Sequence, residues 1–121
     1  MASNREYIQL VDHLTEATQK GVIFWSRYDT PKNIVSTENS IEFVYTTVYK
    51  SKSIRLYEET YKYYTDEFEY HWQKRIVIEF VDEFSNAVWQ FPEIRNSWNL
   101  LEAIRYKDAG VADFMRDIFG P

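Results

Sequence analysis

Apolar positions near the start of the chain recur at three- and four-residue steps: Tyr7, Leu10 or Val11, Leu14 and Thr18, with Ile8 at the edge of the stripe. That period predicts an amphipathic helix over residues 4–20. Ser3 stands three residues before Glu6, the spacing of a capping box. Lys20-Gly21 supplies a basic last turn and a stop. The apolar stripe is expected to cover one face of a sheet.

The pattern then turns to strands. Val22-Ile23-Phe24-Trp25 is β-rich and predicts a first strand over residues 22–27. Residues 29–40 hold Pro31, Asn33, Ser36 and Asn39 and read as an irregular loop whose Ile34 and Val35 touch the core. Three long strands follow, over 41–49, 53–64 and 72–81, with Lys50-Ser51-Lys52 turning the chain back after the first. Residues 65–70 form either a loop or a protruding extension of the second hairpin.

Alternation assigns the faces. Ile54 and Leu56 point one way, against Arg55, Tyr57, Glu59, Tyr61 and Tyr63. Ile76, Ile78 and Phe80 oppose Arg75, Val77, Glu79 and Val81. One face is clearly apolar and the other is mixed. A turn at 82–86 and a short strand at 87–91, stopped by Pro92, complete the sheet. Asn96 or Ser97 can cap a helix running to about 107, with Trp98, Leu101 and Ile104 or Arg105 on related turns. Asp108-Ala109-Gly110 breaks it. A last helix over 111–119 uses Val111, Phe114, Met115 and Ile118 as its apolar side.

Elements segregated in this order predict an α+β fold: a four- or five-stranded, mainly antiparallel meander preceded by one helix and followed by two. The length of 121 residues fits a single compact domain over 1–121. The Tyr-rich hairpin, followed by Val88-Trp89-Gln90-Phe91-Pro92 and a helical tail, resembles small uncharacterised bacterial or phage-encoded proteins. That likeness attaches no named family and carries no function.

Composition narrows the chemistry. There is no cysteine, which removes thiolate nucleophiles, disulfides and thiolate metal sites. Residues 1–6 lead into a helical pattern without an apolar signal core, and no apolar run approaches a membrane span. A cytoplasmic protein is expected. The net charge is −5, and residues 58–83 carry eight carboxylates against three basic side chains. A negative middle segment disfavours phosphate-backbone binding and suits either a basic partner surface or a merely solubilising role.

Candidate catalytic groups are few. His13 sits in the first helix beside Asp12, where a solvated role is the simpler reading. His71, beside Asp66, Glu67 and Glu69, could act near neutral pH, but no nucleophile context accompanies it and the spacing matches no zinc or calcium loop. Glu59 and Glu79 could face each other and support acid–base chemistry. Arg55 and Arg75 on the same face make cross-strand ion pairs the cheaper account. Gly21, Gly110 and Gly120 are too scattered for a phosphate loop. No metal, cofactor or catalytic residue is assigned.

The aromatic residues are the least ordinary feature. Tyr45, Tyr49, Tyr57, Tyr61, Tyr63, Tyr64, Phe68, Tyr70 and Trp72 crowd the central hairpins. A sheet face packed under the helices explains them structurally. A protein-binding surface explains them functionally, since Tyr and Trp supply rigid contact area. The leading expectation is a noncatalytic protein–protein interaction module of accessory, inhibitor or immunity type. In it Tyr57, Tyr61, Tyr63, Phe68, Tyr70 and Trp72 anchor, and Asp66, Glu67 and Glu69 select a basic partner. A homodimer is one version. The alternatives are a small hydrolase-like enzyme using His71 with nearby carboxylates, and a nucleic-acid-binding or nucleic-acid-mimic protein.

Overall fold

Ser3 and Glu6 cap the first helix reciprocally. In the structure, a computed structural model describing residues 2–120, the Glu6 N–H donates to Ser3 Oγ at 3.3 Å and the Ser3 N–H donates to Glu6 Oε1 at 3.1 Å. Helix α1 runs Asn4–Gln19 and buries Val11, Leu14, Ala17 and Thr18. Its far end is a Schellman closure: Gly21 takes φ 75°, the Val22 N–H donates to the Ala17 carbonyl at 2.8 Å, and the Gly21 N–H donates to that of Thr18 at 3.1 Å. This closure corrects the strand expected over 22–27. The N–H groups of Val22 and Ile23 both serve the orphan carbonyl of Ala17, Ile23 is buried, and the Trp25 indole donates to Thr18 Oγ1 at 3.0 Å. Pairing begins only at Ser26.

The residues up to Trp25 and those from Ile94 onward form one unit, and residues 26–93 form another. In the first unit, α2 (Ser97–Asp108) buries Ser97, Leu100, Leu101, Ala103 and Ile104. Asn96 precedes it without capping it through its side chain. The amide instead donates to the Ile8 carbonyl at 2.8 Å and to Asp12 Oδ1 at 2.9 Å, which ties the start of α2 to α1. Gly110, at φ 68°, makes the break into α3 (Val111–Phe119), which buries none of its residues. Among the described residues no helix is long and apolar enough to cross a membrane.

The second unit is an antiparallel sheet of six strands: β1 (Ser26–Asp29), β2 (Asn39–Ile41), β3 (Phe43–Tyr49), β4 (Lys52–Tyr64), β5 (Tyr70–Val81) and β6 (Ala87–Gln90). The order is β1-β3-β4-β5-β6, with β2 also paired to β4. One helix, this sheet and two helices make the α+β fold that the pattern predicts. Lys50 and Ser51, at φ 50° and 65°, form the two-residue turn between β3 and β4 without a glycine.

Two departures share one cause, the length of β4. Strand β3 pairs only with residues 52–56, so the outer half of β4 needs another neighbour. Residues 39–41 supply it, pairing with 59–61. The expected loop over 29–40 therefore holds a 3-10 turn (Lys32–Ile34) and the start of β2, and the strand expected over 41–49 breaks at Glu42.

The β4–β5 register places Ile54 opposite Phe80 and Leu56 opposite Ile78, with Tyr57 opposite Val77 on the other face. The apolar face is buried at its centre through Ile54, Leu56, Ile76 and Ile78. The mixed face has a small core of its own, in which Ile41, Val44, Tyr57 and Val77 pack with Ile34. That core uses Ile34 as expected, whereas Val35 is exposed.

Candidate functional site

The mixed face alternates aromatic and charged side chains along β4 and β5. Arg55 lies directly across from Glu79, and Glu59 directly across from Arg75. The two glutamates thus face arginines and not each other. Both members of the first pair are buried. Arg55 Nε donates to Glu79 Oε1 at 2.7 Å, Nη2 lies 2.6 Å from the same oxygen, and Nη1 donates to the Ser85 carbonyl at 3.0 Å. The second pair is nearer solvent. Arg75 Nε donates to Glu59 Oε1 at 2.7 Å, while the Asn39 amide of β2 donates to Oε2 at 2.7 Å. Each carboxylate here is matched to an arginine across the strands, so the pair of glutamates holds the sheet together. Tyr57 sits between the pairs, and its hydroxyl pKa is raised by burial and then by the charges of Glu79 and Glu59.

Beyond Glu59 the ribbon changes character. On the mixed face, Arg75 lies 4.6 Å over the Tyr61 ring, the Tyr61 hydroxyl donates to Gln73 at 3.1 Å, and the rings of Tyr63 and His71 are 5.4 Å apart. On the opposite face, Tyr64, Tyr70 and Trp72 run in sequence with ring separations of 5.4 and 5.9 Å. Lys62 Nζ lies 4.6 Å over Tyr70 and 5.6 Å over Trp72. The Tyr64 hydroxyl donates to Glu38 at 2.7 Å, and that bond raises its pKa. Tyr63, Tyr64, Tyr70 and Trp72 are each about half exposed. The rings are held by one another and by Lys62, yet each keeps about half of its surface open to solvent.

At the tip, Asp66 Oδ1 accepts from the Phe68 and Glu69 N–H groups at 2.8 and 2.9 Å. This Asx turn presents Phe68 at 86% exposure, an expensive position for a large apolar ring. The other end of β5 repeats the device: Asp82 Oδ1 accepts from the N–H groups of Phe84 and Asn86, each at 2.9 Å, and Phe84 is also exposed. Both turns read Asp-Glu-Phe.

Eight of the nine residues expected at an interaction surface sit on the outer part of this hairpin, but they do not form one face. Tyr61 and Tyr63 lie on the mixed face, Tyr70 and Trp72 on the opposite one, and Asp66, Glu67, Phe68 and Glu69 at the tip. Tyr57 is the exception. At 6% exposure it belongs to the small core and cannot anchor a partner. Tyr64 and Lys62 join the surface in addition to those nine, because only the register shows that they stand opposite Tyr70 and Trp72.

His71 is exposed, with Gln73 Nε2 3.0 Å from its Nε2 and Tyr63 against its ring. Two cavities, of about 490 and 300 Å³, lie in the helical unit, lined respectively by residues such as Thr15, Glu102 and Tyr106 and by Ile23, Trp25 and Ile104. His71 lines neither. Among the described residues no group of three or more His, Asp or Glu side chains is placed to hold a metal ion. Helix α3 carries a second exposed apolar set, Phe114, Met115, Ile118 and Phe119. Comparison with protein-family models, curated proteins and solved structures finds no match to this chain.

Proposed function

We propose that the protein is a noncatalytic interaction module whose contact surface is the outer half of the β4–β5 hairpin. The observation that carries this reading is the set of half-exposed rings, Tyr63, Tyr64, Tyr70 and Trp72, together with the exposed Phe68, all on one ordered ribbon. Rings already fixed by their neighbours lose little freedom on binding, so their area converts efficiently into affinity. Asp66, Glu67 and Glu69 surround Phe68 with negative charge and favour a basic partner. A role as accessory, inhibitor or immunity-type protein fits such a surface.

The test is capture of binding proteins from the native host by the tagged chain and by a Phe68→Ala/Trp72→Ala variant whose fold is verified by circular dichroism. A specific partner retained by the parent and lost by the folded variant supports the reading. A partner held equally by both removes the hairpin from the interface.

A further inference from the structure

The outer edge of β5 is open where the rings are. Strand β6 pairs with β5 only at Glu79, Phe80 and Val81, and the Phe91 N–H reaches the Ile78 carbonyl at 2.8 Å. Between Tyr70 and Arg75 no described strand lies on that side. Antiparallel pairing alternates the direction of backbone groups along a strand. The Thr65 N–H bonds the Glu69 carbonyl at 2.9 Å in continuation of the Tyr64–Tyr70 pair. The odd-numbered residues of β5 therefore turn their backbone groups toward β4. The even-numbered residues turn theirs outward, in agreement with Ile78. Tyr70, Trp72 and Lys74 thus present outward N–H and C=O groups on a stretch whose register with β4 is unbroken. Proteins normally protect such an edge with charged side chains, a proline, a bulge or a cover. Here the stretch has no proline, its charges stand only at the inner end in Lys74 and Arg75, and the one irregularity of β5 falls at Phe80/Val81.

We infer that this edge pairs antiparallel with the same edge of a second copy of the chain, about a two-fold axis at Trp72. The inference rests on the reading of the outer hairpin as an interaction surface and assigns the β5 edge, as distinct from the acidic tip, to a second copy. An isologous strand pair must be self-complementary, and few registers qualify. Centred on Trp72, Tyr70 faces Lys74 of the second copy, a cation against a ring, and the two Trp72 rings meet on the same face. On the other face His71 meets Gln73, and Glu69 meets the partly exposed Arg75. No like charges stand directly opposite, and Lys74 of the second copy shares the Tyr70 ring with Lys62. Centred on Gln73, His71 would face Arg75 and Tyr70 would face the buried Ile76. Centred on Lys74, two ammonium groups would collide. The Trp72 register also ends before Ile76, clear of the Phe91 contact with β5. Its hydrogen bonds would come from Tyr70, Trp72 and Lys74 of each copy.

The absence of cysteine makes the register directly readable. In this pairing residues 71 and 73 of opposite copies form a close, non-hydrogen-bonded pair, with Cα atoms about 4.5 Å apart, within disulfide reach. Sedimentation velocity of the unaltered chain from the micromolar to the millimolar range should show a concentration-dependent dimer. Under mild oxidation, a mixture of His71→Cys and Gln73→Cys chains should cross-link to each other several-fold more than either does to itself. Trp72→Pro, which removes an outward N–H together with the ring but no hydrogen bond of the β4–β5 ladder, should abolish the dimer while circular dichroism shows the sheet retained. A monomer throughout the range overturns self-pairing. If that monomer still captures another protein through Phe68 and Trp72, the interaction surface itself stands. A dimer whose cross-links are no stronger for the 71/73 mixture than for a His13→Cys control overturns the β5 edge as its seat.

Discussion

The β4–β5 ribbon has two halves built on one register but under different physical rules. Between residues 54–59 and 75–80 it is buried on both faces, and polar groups there are admitted only in matched pairs such as Arg55–Glu79. Between residues 60–64 and 70–74 the same pairing continues without that burial, and Tyr63, Tyr64, Tyr70 and Trp72 stand there packed ring to ring and half exposed. In the inner half a side chain matters through what its loss leaves unpaired. In the outer half it matters through what it could touch. Stability and binding should therefore separate along a single strand.

The largest effect should come from Glu79→Ala. The Arg55 guanidinium would remain buried with one carbonyl as its partner, and breaking a buried pair in this way costs about 3–5 kcal/mol. Urea unfolding should show that loss, and a much smaller one for Arg55→Met/Glu79→Leu, which removes both charges. If the double variant is as unstable as the single one, packing and not charge governs the inner half. Glu59→Gln marks the boundary between the halves. Its partner Arg75 is about a third exposed, and Asn39 would still have an oxygen to meet, so the cost should fall to about 1–2 kcal/mol.

Tyr57 sharpens the division by its ionisation. Its pKa is raised above the ordinary 10.0 by burial, so the folded chain holds this proton after the unfolded chain has released it. The stability that follows is complete below pH about 10 and is lost as pH rises from there toward the folded value. Tyr57→Phe should leave neutral stability nearly unchanged and flatten the alkaline decline, measured by urea midpoints between pH 9 and 11 as order-of-magnitude bounds on the window (about one unit either side of the unfolded value). An equally steep decline in the variant would place Tyr57 in water, where the outer tyrosines are.

The inner half was the more legible in sequence. Strict alternation around Ile54 and Leu56 and around Ile76 and Ile78 fixes which side chains share a face, and the arginine–glutamate pairs follow as soon as the register is known. Val22-Ile23-Phe24-Trp25 has strand propensity, but the Schellman closure at Gly21 makes a local, competing use of the same backbone, and the first strand starts at Ser26. Strand β2 was hidden because Asn39-Ser40-Ile41 has little strand character; the unpaired outer length of β4 recruits it. The outer half was legible only as composition. Nothing in the alternation reveals that Tyr57 packs with Ile34 and Ile41 while Tyr63, six pairs further out, is half exposed. That difference depends on where the 3-10 turn at 32–34 folds back. Nor does it reveal that Lys62 stands between Tyr70 and Trp72, since that is a matter of register across a turn.

The smallest change in stability is expected from Trp72→Ala, and it is the most informative about the outer half. The ring is half exposed, touches Tyr70 edge-on at 5.9 Å and has Lys62 over it at 5.6 Å. An exposed cross-strand contact of this kind is worth about 0.5 kcal/mol, because the backbone ladder of β4 and β5 does not depend on it. Urea unfolding should barely distinguish the variant from its parent, and amide exchange in the inner half should be unaltered. A loss of 2 kcal/mol or more (the order expected for a buried large side chain) would mean that the outer rings belong to the core, and the division between the two halves would fail. A near-silent substitution would leave an ordered tryptophan on an open strand edge without a structural reason to be there, which is the condition under which a binding role explains it.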